Sequence, residues 1–326
     1  MTVGEQAFWL AAPGRGELRP AEVAPPGDGE VLVRTLRTGV SRGTETLVFG
    51  GGVPASQQAV MRAPFQEGDF PAPVKYGYLN VGVVEQGPPE LAGRTVFCLY
   101  PHQTRYVVPA DAVTVVPDAV PADRAVLAGT VETAVNAVWD AAPLVGDRIA
   151  VVGGGMVGCA VAGVLAGLPG ARVQLVDVDP ARAATAAALG VGFAAPEDAA
   201  DGCDVVIHAS ATAAGLTRSL ELLAAEGTVV ELSWYGDRRV ELPLGENFHS
   251  RRLTVRSSQV GTVSPAQRGR RSYAERLGVA LDLLADDRFD ALVTGRCAFE
   301  ELPSVLPRLA SGELAALCHL VVYPEE

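Results

Sequence analysis

Two textures of hydrophobic patterning divide the chain. Up to about position 116, short extended runs such as Glu30-Val31-Leu32-Val33-Arg34-Thr35, Val81-Gly82-Val83-Val84 and Arg94-Thr95-Val96-Phe97-Cys98 are separated by turns such as Pro25-Pro26-Gly27-Asp28-Gly29 and Gly87-Pro88-Pro89. That spacing predicts a small barrel or sandwich. Around Pro117 to Pro121 the pattern changes. Apolar runs of strand length then alternate with Ala/Leu-rich helical stretches, the pattern of a parallel sheet covered on both faces. Helices are expected at about 121–128 and 130–141, a strand at 148–152, a helix at 156–168 and a strand at 172–178. Asp179 followed by Pro180 predicts an N-cap and first helical position for a helix running to about Leu189. Strands at 204–208, 228–233 and 253–257, a helix at 213–225 and a long helix near 272–285 complete the reading.

The strand at 148–152 runs straight into Gly153-Gly154-Gly155-Met156-Val157-Gly158, a G-x-G-x-x-G turn that opens a helix. In such a corner the first glycine permits a tight turn, the second lets backbone approach a pyrophosphate, and the third lets helix and strand pack closely. The amides of Met156 and Val157 belong to the helix start, which favours anions. Asp177 ends the next strand 177 − 158 = 19 positions after the last glycine, close to the roughly 20 expected of a ribose-binding carboxylate. A carboxylate there repels a 2′-phosphate, so NAD is expected over NADP, with Arg182 a softening influence. The competing reading gives the glycines a packing role and Asp177 a capping role, which Asp179 fits better.

Composition narrows the class. A chain of 326 residues with 48% hydrophobic content suits two domains. Its charge, 26 − 38 = −12, lacks any basic run, which argues against nucleic acid as a partner. No apolar stretch reaches about 18 residues, so no membrane span is expected. Met1-Thr2-Val3-Gly4-Glu5 does not read as a secretory signal, and five scattered cysteines without a Cys-x-x-Cys pair fit a reducing compartment. A cytoplasmic α/β protein is the expectation.

The order of elements resembles the medium-chain dehydrogenase/reductase (zinc-alcohol-dehydrogenase-like) superfamily over essentially the whole chain. The likeness rests on Gly39-Val40-Ser41-Arg42-Gly43-Thr44-Glu45, Gly77-Tyr78-Leu79-Asn80-Val81-Gly82-Val83-Val84-Glu85, Thr104-Arg105-Tyr106-Val107-Val108, Phe299-Glu300-Glu301-Leu302 and Ser311-Gly312. The first motif is most similar to bacteriochlorophyllide hydroxyethyl dehydrogenase-like proteins. The resemblance implies a GroES-like β-rich catalytic domain at 1–120 and 260–326, a Rossmann domain with a doubly wound parallel sheet at 121–259, a cleft between them for the nicotinamide, and a homodimer. It also exposes departures. Ser41 stands where zinc members carry cysteine, Tyr78-Leu79 where they carry His-Glu, and Thr130 near the third ligand; the four-cysteine loop is missing between 94–100 and His102. Hydroxyls replace zinc ligands poorly, so a zinc-free site is expected.

Without a metal, oriented donors must stabilise the alkoxide character that hydride transfer creates. By resemblance Tyr78 is the candidate proton donor, or else a core aromatic. Ser41 and Thr44 are candidate donors to the substrate oxygen, or else turn caps. Glu45 and Glu132 are candidate relays, or else structural acceptors. His102 is a candidate relay to solvent, and His208 is placed on the adenine side. Lys75 reads as a substrate-acid partner or, more simply, a solvated surface residue. Arg42 matches a pyrophosphate-holding position, and Thr133, Ser210, Ser233, Trp234 and Gln259 complete the candidate cofactor set. The expected activity is interconversion of a secondary alcohol and a ketone with NAD(H) on a small-molecule substrate. The alternatives are an enoyl or quinone reductase, and a dinucleotide-binding protein without turnover.

Overall fold

The structure, a computed structural model, describes residues 4–324. The expectation about the chain's start falls mainly on Met1, Thr2 and Val3, outside the described residues. Contacts group the chain into two compact units, Met1–Gly129 with Val293–Glu326, and Thr130–Leu292.

In the first unit a seven-stranded sheet runs in the order Val293–Ala298, Cys318–Val322, Glu30–Ser41, Asn80–Gln86, Thr95–Cys98 and Val113–Val115, with Arg105–Pro109 also pairing on Glu30–Ser41. A smaller sheet contains Arg15–Pro20, Gln6–Ala12, Val74–Lys75 and Glu67–Gly68. Val31, Val33, Val84, Val96, Tyr106 and Val108 form one core cluster. The long strand begins with strict alternation, burying Val31, Val33 and Thr35. A register shift between Thr35 and Arg37 then changes its phase, and Thr38 to Ser41 are buried without a break. This is how a bulge re-aims the end of a strand. Antiparallel pairing with Cys318–Val322 sets Ser41 opposite Cys318.

The second unit is a six-stranded parallel sheet in the order Gly192–Ala194, Arg172–Val176, Arg148–Val152, Cys203–His208, Leu223–Glu231, Thr254–Ser257. In sequence order that is 3-2-1-4-5-6, which places the topological switch between the Arg148–Val152 and Cys203–His208 strands. Helix Met156–Ala166 is apolar nearly all round because it is buried nearly all round. A Cβ at its Gly163 would lie 2.8 Å from the Phe289 ring. The Arg182–Leu189 helix starts slightly late: Asp179 accepts from the Ala181 N–H at 3.0 Å, and the first helical residue is Arg182.

Residues 260–292 group with the second unit, where the sequence reading had ended that domain at 259. The reason is helix Tyr273–Leu283, capped by a Ser272–Glu275 box, which buries Leu277, Ala280 and Leu281. Its Arg276 binds Glu132, Asn136 and the Val260 and Thr262 carbonyls. All five cysteines are buried and free. Among the described residues no helix is long and apolar enough to cross a membrane.

Candidate dinucleotide cradle and hydroxyl cluster

The three motif glycines have different physical reasons. Gly153 has φ +110°, and a Cβ there would fall 2.6 Å from the Ser210 nitrogen. At Gly158 a Cβ would fall 1.8 Å from the Gly153 carbonyl oxygen. Both positions therefore exclude any side chain. Gly155 is different: its backbone is extended (φ −74°, ψ −179°), and a Cβ there meets nothing within 4 Å. It caps helix Met156–Ala166 without a side-chain hydrogen bond, and the first helical bond runs from Cys159 N–H to the Gly155 carbonyl. The N–H groups of Met156, Val157 and Gly158 thus lack helical acceptors beside open space, a fitting cradle for a diphosphate.

Asp177 lies at the same corner. Its carboxylate accepts from Gly154 N–H at 2.5 Å and from Asp179 N–H at 2.8 Å. Arg182 flanks it, with Cγ 3.1 Å from where a Gly154 Cβ would be and its guanidinium 3.4 Å from Asp179. Ser210 is brought against Gly153, and its hydroxyl lies 2.7 Å from His208 Nε2. Ser233 reaches the same histidine at 3.3 Å and accepts from Ala211 N–H at 3.0 Å. Trp234 and Thr133 are half-buried. Gln259 is exposed, and its side-chain carbonyl accepts from Gly261 N–H at 2.6 Å.

Glu132 belongs to another setting. Its Oε1 is 3.0 Å from Arg276 Nε, with both side chains buried. Burial raises its carboxyl and the Arg276 charge opposes that rise. It accepts from Arg276, whose guanidinium also holds the Val260 and Thr262 carbonyls, a setting that suits the structural-acceptor alternative.

In the first unit, Ser41 ends its strand, Thr44 opens the Thr44–Phe49 helix, and Tyr78 follows Gly77, whose φ of +142° would strain any side chain and where a Cβ would lie 3.1 Å from the His102 ring. The Ser41 and Thr44 hydroxyls flank the Tyr78 phenol and favour its charged form. Burial, then the Glu45 charge, push that phenol up to about 12, so it stays protonated at neutral pH. Glu45 is 4% exposed. One of its oxygens accepts from Ser41 N–H at 2.8 Å and the other lies 2.9 Å from His102 Nε2. His102 Nδ1 is 2.6 Å from the Thr38 hydroxyl, which lies 3.3 Å from the Tyr323 hydroxyl.

Two expectations change here. His102 is 2% exposed and closes on Glu45; it sits within a buried network and does not itself face solvent. Lys75 is buried, held by Glu67, by Gln103 Oε1 at 2.6 Å and near the Tyr100 ring; it is not a solvated surface residue. Arg42 is exposed, beside Gly312. The sequence reading missed Thr38, Cys318 and Tyr323 here, and Thr212 and Glu231 in the second unit. Strand register joins most of them to the sites, and no local motif marks it. Among the described residues no three His, Cys, Asp or Glu side chains converge as a metal-binding group.

No protein-family profile matches this chain, and no curated protein matches its sequence. Solved structures do. L-idonate 5-dehydrogenase from Escherichia coli superposes with a TM-score of 0.81 at 17% identity, covering 99% of both chains. A zinc-binding dehydrogenase from Sinorhizobium meliloti 1021 bound to NADP gives 0.78 at 17%, covering 98% of this chain and 100% of that one. An alcohol dehydrogenase from Escherichia coli CFT073 complexed with NADH gives 0.77 at 16%, covering 99% and 100%. At such identities the likeness speaks for architecture: the chain has the α/β fold of the medium-chain dehydrogenases, with a GroES-like unit and a Rossmann unit.

Proposed function

We propose that this chain is an NAD(H)-dependent oxidoreductase that interconverts a secondary alcohol and a ketone by hydride transfer without zinc. The observation that carries the reading is the corner where Gly155 leaves a side-chain volume open beside the helix amides while Asp177 lines the same turn. A dinucleotide needs that open volume, and glycines serving packing alone do not. The Met156, Val157 and Gly158 amides hold the diphosphate. Asp177 accepts from ribose hydroxyls and disfavours a 2′-phosphate, while Arg182 moderates that bias.

The nicotinamide, when bound, supplies or takes the hydride. The chain's own residues handle the proton. Tyr78, kept neutral, donates to the substrate oxygen as negative charge develops there, with the Ser41 and Thr44 hydroxyls beside it. Glu45, locked by Ser41 N–H and His102, keeps a negative charge near the phenol and opposes its ionisation. The zinc-free part of the reading is supported by side-chain chemistry: Ser41 and Tyr78 offer hydroxyls where zinc members offer cysteine and histidine. Similarity to solved dehydrogenases, two holding nicotinamide dinucleotides, supports the cofactor class.

The test is equilibrium titration with NADH and NADPH, followed by a screen of secondary alcohols, ketones and enones read by nicotinamide absorbance. NADH should bind more tightly, Asp177→Ala should erode the difference, and metal analysis should find well under one zinc per chain. Failure to bind either dinucleotide refutes the proposal; turnover of enones alone would favour the enoyl-reductase alternative.

A further inference from the structure

Beside the cradle lies a polar chain that the proposed chemistry leaves unused. His208 ends strand Cys203–His208 with no exposed surface, and register pairs it with Glu231 at the end of Leu223–Glu231. Its Nδ1 is 2.9 and 2.8 Å from the two Glu231 oxygens. Burial alone would raise the Glu231 carboxyl, but hydrogen bonds from His208 and Ser233 hold it below its ordinary range. Tyr235 O–H also donates to it at 3.1 Å. A carboxylate only accepts, so Nδ1 carries the proton.

The order of the remaining protons follows. In the tautomer that carries its one proton on Nδ1, His208 Nε2 must accept, so the Ser210 hydroxyl at 2.7 Å donates inward. Thr212 lies 2.9 Å from Ser210, whose one proton is spent, so Thr212 donates to it. Thr212 in turn accepts from Gly215 N–H at 3.0 Å. Every hydroxyl proton therefore points toward Glu231, and Ser210 keeps a lone pair free. The turn is built for this arrangement. Ala211 sits at φ +53°, unfavourable for a residue with a side chain. A Cβ on Gly215 would lie 2.2 Å from the Ser210 hydroxyl and 2.9 Å from His208 Nε2. Arg238 donates to the Ala211 carbonyl at 3.3 Å and lies over the Tyr235 ring.

We infer that Glu231 and His208 are positioning residues that fix Ser210 as a hydrogen-bond acceptor beside the Gly153 turn, where it receives an N–H or O–H donor of the dinucleotide. The inference rests on the dinucleotide reading above. A phosphate, which has no proton to give at neutral pH, is refused by this hydroxyl; a ribose hydroxyl or an amino or carboxamide group is accepted.

Two measurements test it. In 15N-edited NMR of the whole chain, His208, identified by its loss in His208→Gln, should show the Nδ1–H tautomer. In NADH titrations, Ser210→Ala and Glu231→Gln should each weaken binding about two- to tenfold, the worth of one hydrogen bond. Glu231→Gln acts because its amide can donate to Nδ1, moving the ring proton to Nε2 and reversing the hydroxyl order. The double variant should be no weaker than the worse single one. An Nε2–H tautomer in the wild type, wild-type affinity in Glu231→Gln, or additive losses would overturn the inference while leaving the cofactor reading intact. A wild-type chain that binds neither NADH nor NADPH overturns both. If Glu231→Gln does not fold, the wild-type tautomer decides.

Discussion

Adding one methyl group at either of two glycines separates folding from cofactor binding. In Gly158→Ala the new Cβ starts 1.8 Å from the Gly153 carbonyl oxygen. Real contacts of this kind are not found below 3.0 Å, so the helix or the turn must give at least 3.0 − 1.8 = 1.2 Å. The obstacle is backbone in a buried corner, so overpacking of about 1–3 kcal/mol is expected, along with displacement of three amides from the diphosphate. In Gly155→Ala the backbone already suits a side chain and nothing lies within 4 Å, so stability should change by less than about 0.5 kcal/mol. Its methyl nevertheless fills the volume the diphosphate needs, and NADH affinity should fall at least about tenfold, or roughly 1.4 kcal/mol. Thermal unfolding and NADH fluorescence titration on both variants give the answer. A Gly155→Ala chain that is as stable as wild type and binds NADH equally well would show that the phosphate does not sit at this turn.

Three further outcomes are expected. Tyr78→Phe should lower turnover about 10²-fold or more while leaving the NADH dissociation constant unchanged, and steady-state kinetics that show full turnover would remove the proton-donor role. Glu132→Ala strands the Arg276 guanidinium, buried with its partner, and should cost about 3–5 kcal/mol in urea unfolding, whereas a loss of activity at unchanged stability would favour its candidacy as a relay. His319 is 3% exposed, both ring nitrogens lack partners, and burial lowers its pKa below 6.5; the unfolded chain therefore binds its proton first, and the stabilisation present above pH 6.5 is lost as pH falls below it, by at most about 1.4 kcal/mol per unit. His319→Asn should flatten that slope between pH 7 and 5.5 in urea midpoints.

The Rossmann unit was legible because its signals are local. The strand at Arg148–Val152 and the starts of helices Met156–Ala166 and Ala213–Leu222 fall where apolar runs and turn residues put them. The glycine corner was legible for the same reason: strand, turn and helix are contiguous. The hydroxyl cluster was only half visible. Ser41, Thr44, Glu45 and Tyr78 stand in two short motifs, but Thr38, His102 and Tyr323 join them through strand pairing across the chain. Burial of Lys75 was invisible for a related reason, since Glu67, Tyr100 and Gln103 surround it only after the sheets form. The grouping of 260–292 with the second unit was not legible because Arg276, read alone, is an ordinary helical arginine.

Each unit holds a carboxylate–histidine pair beside hydroxyls: the buried Glu45 with His102 near Ser41 and Tyr78, and the largely buried Glu231 with the buried His208 near Ser210 and Thr212. Such pairs are expensive. Removing charge from water costs several kcal/mol per ion, and apolar replacements of similar volume are often neutral or stabilising. Stability alone therefore gives little account of two of them in a chain with abundant Val, Leu and Ala to fill the space. What an apolar core cannot do is direct protons. A buried carboxylate accepts from every neighbour, so the hydroxyls bonded through the histidine are ordered in one sense. In the second unit this order turns Ser210 into an acceptor. In the first, the same negative charge keeps the Tyr78 phenol protonated and able to give its proton only to an oxygen that has become strongly basic. A substrate oxygen acquiring hydride-derived electron density is such an oxygen, whereas a ground-state ketone is not, so the arrangement favours the transition state over the bound substrate.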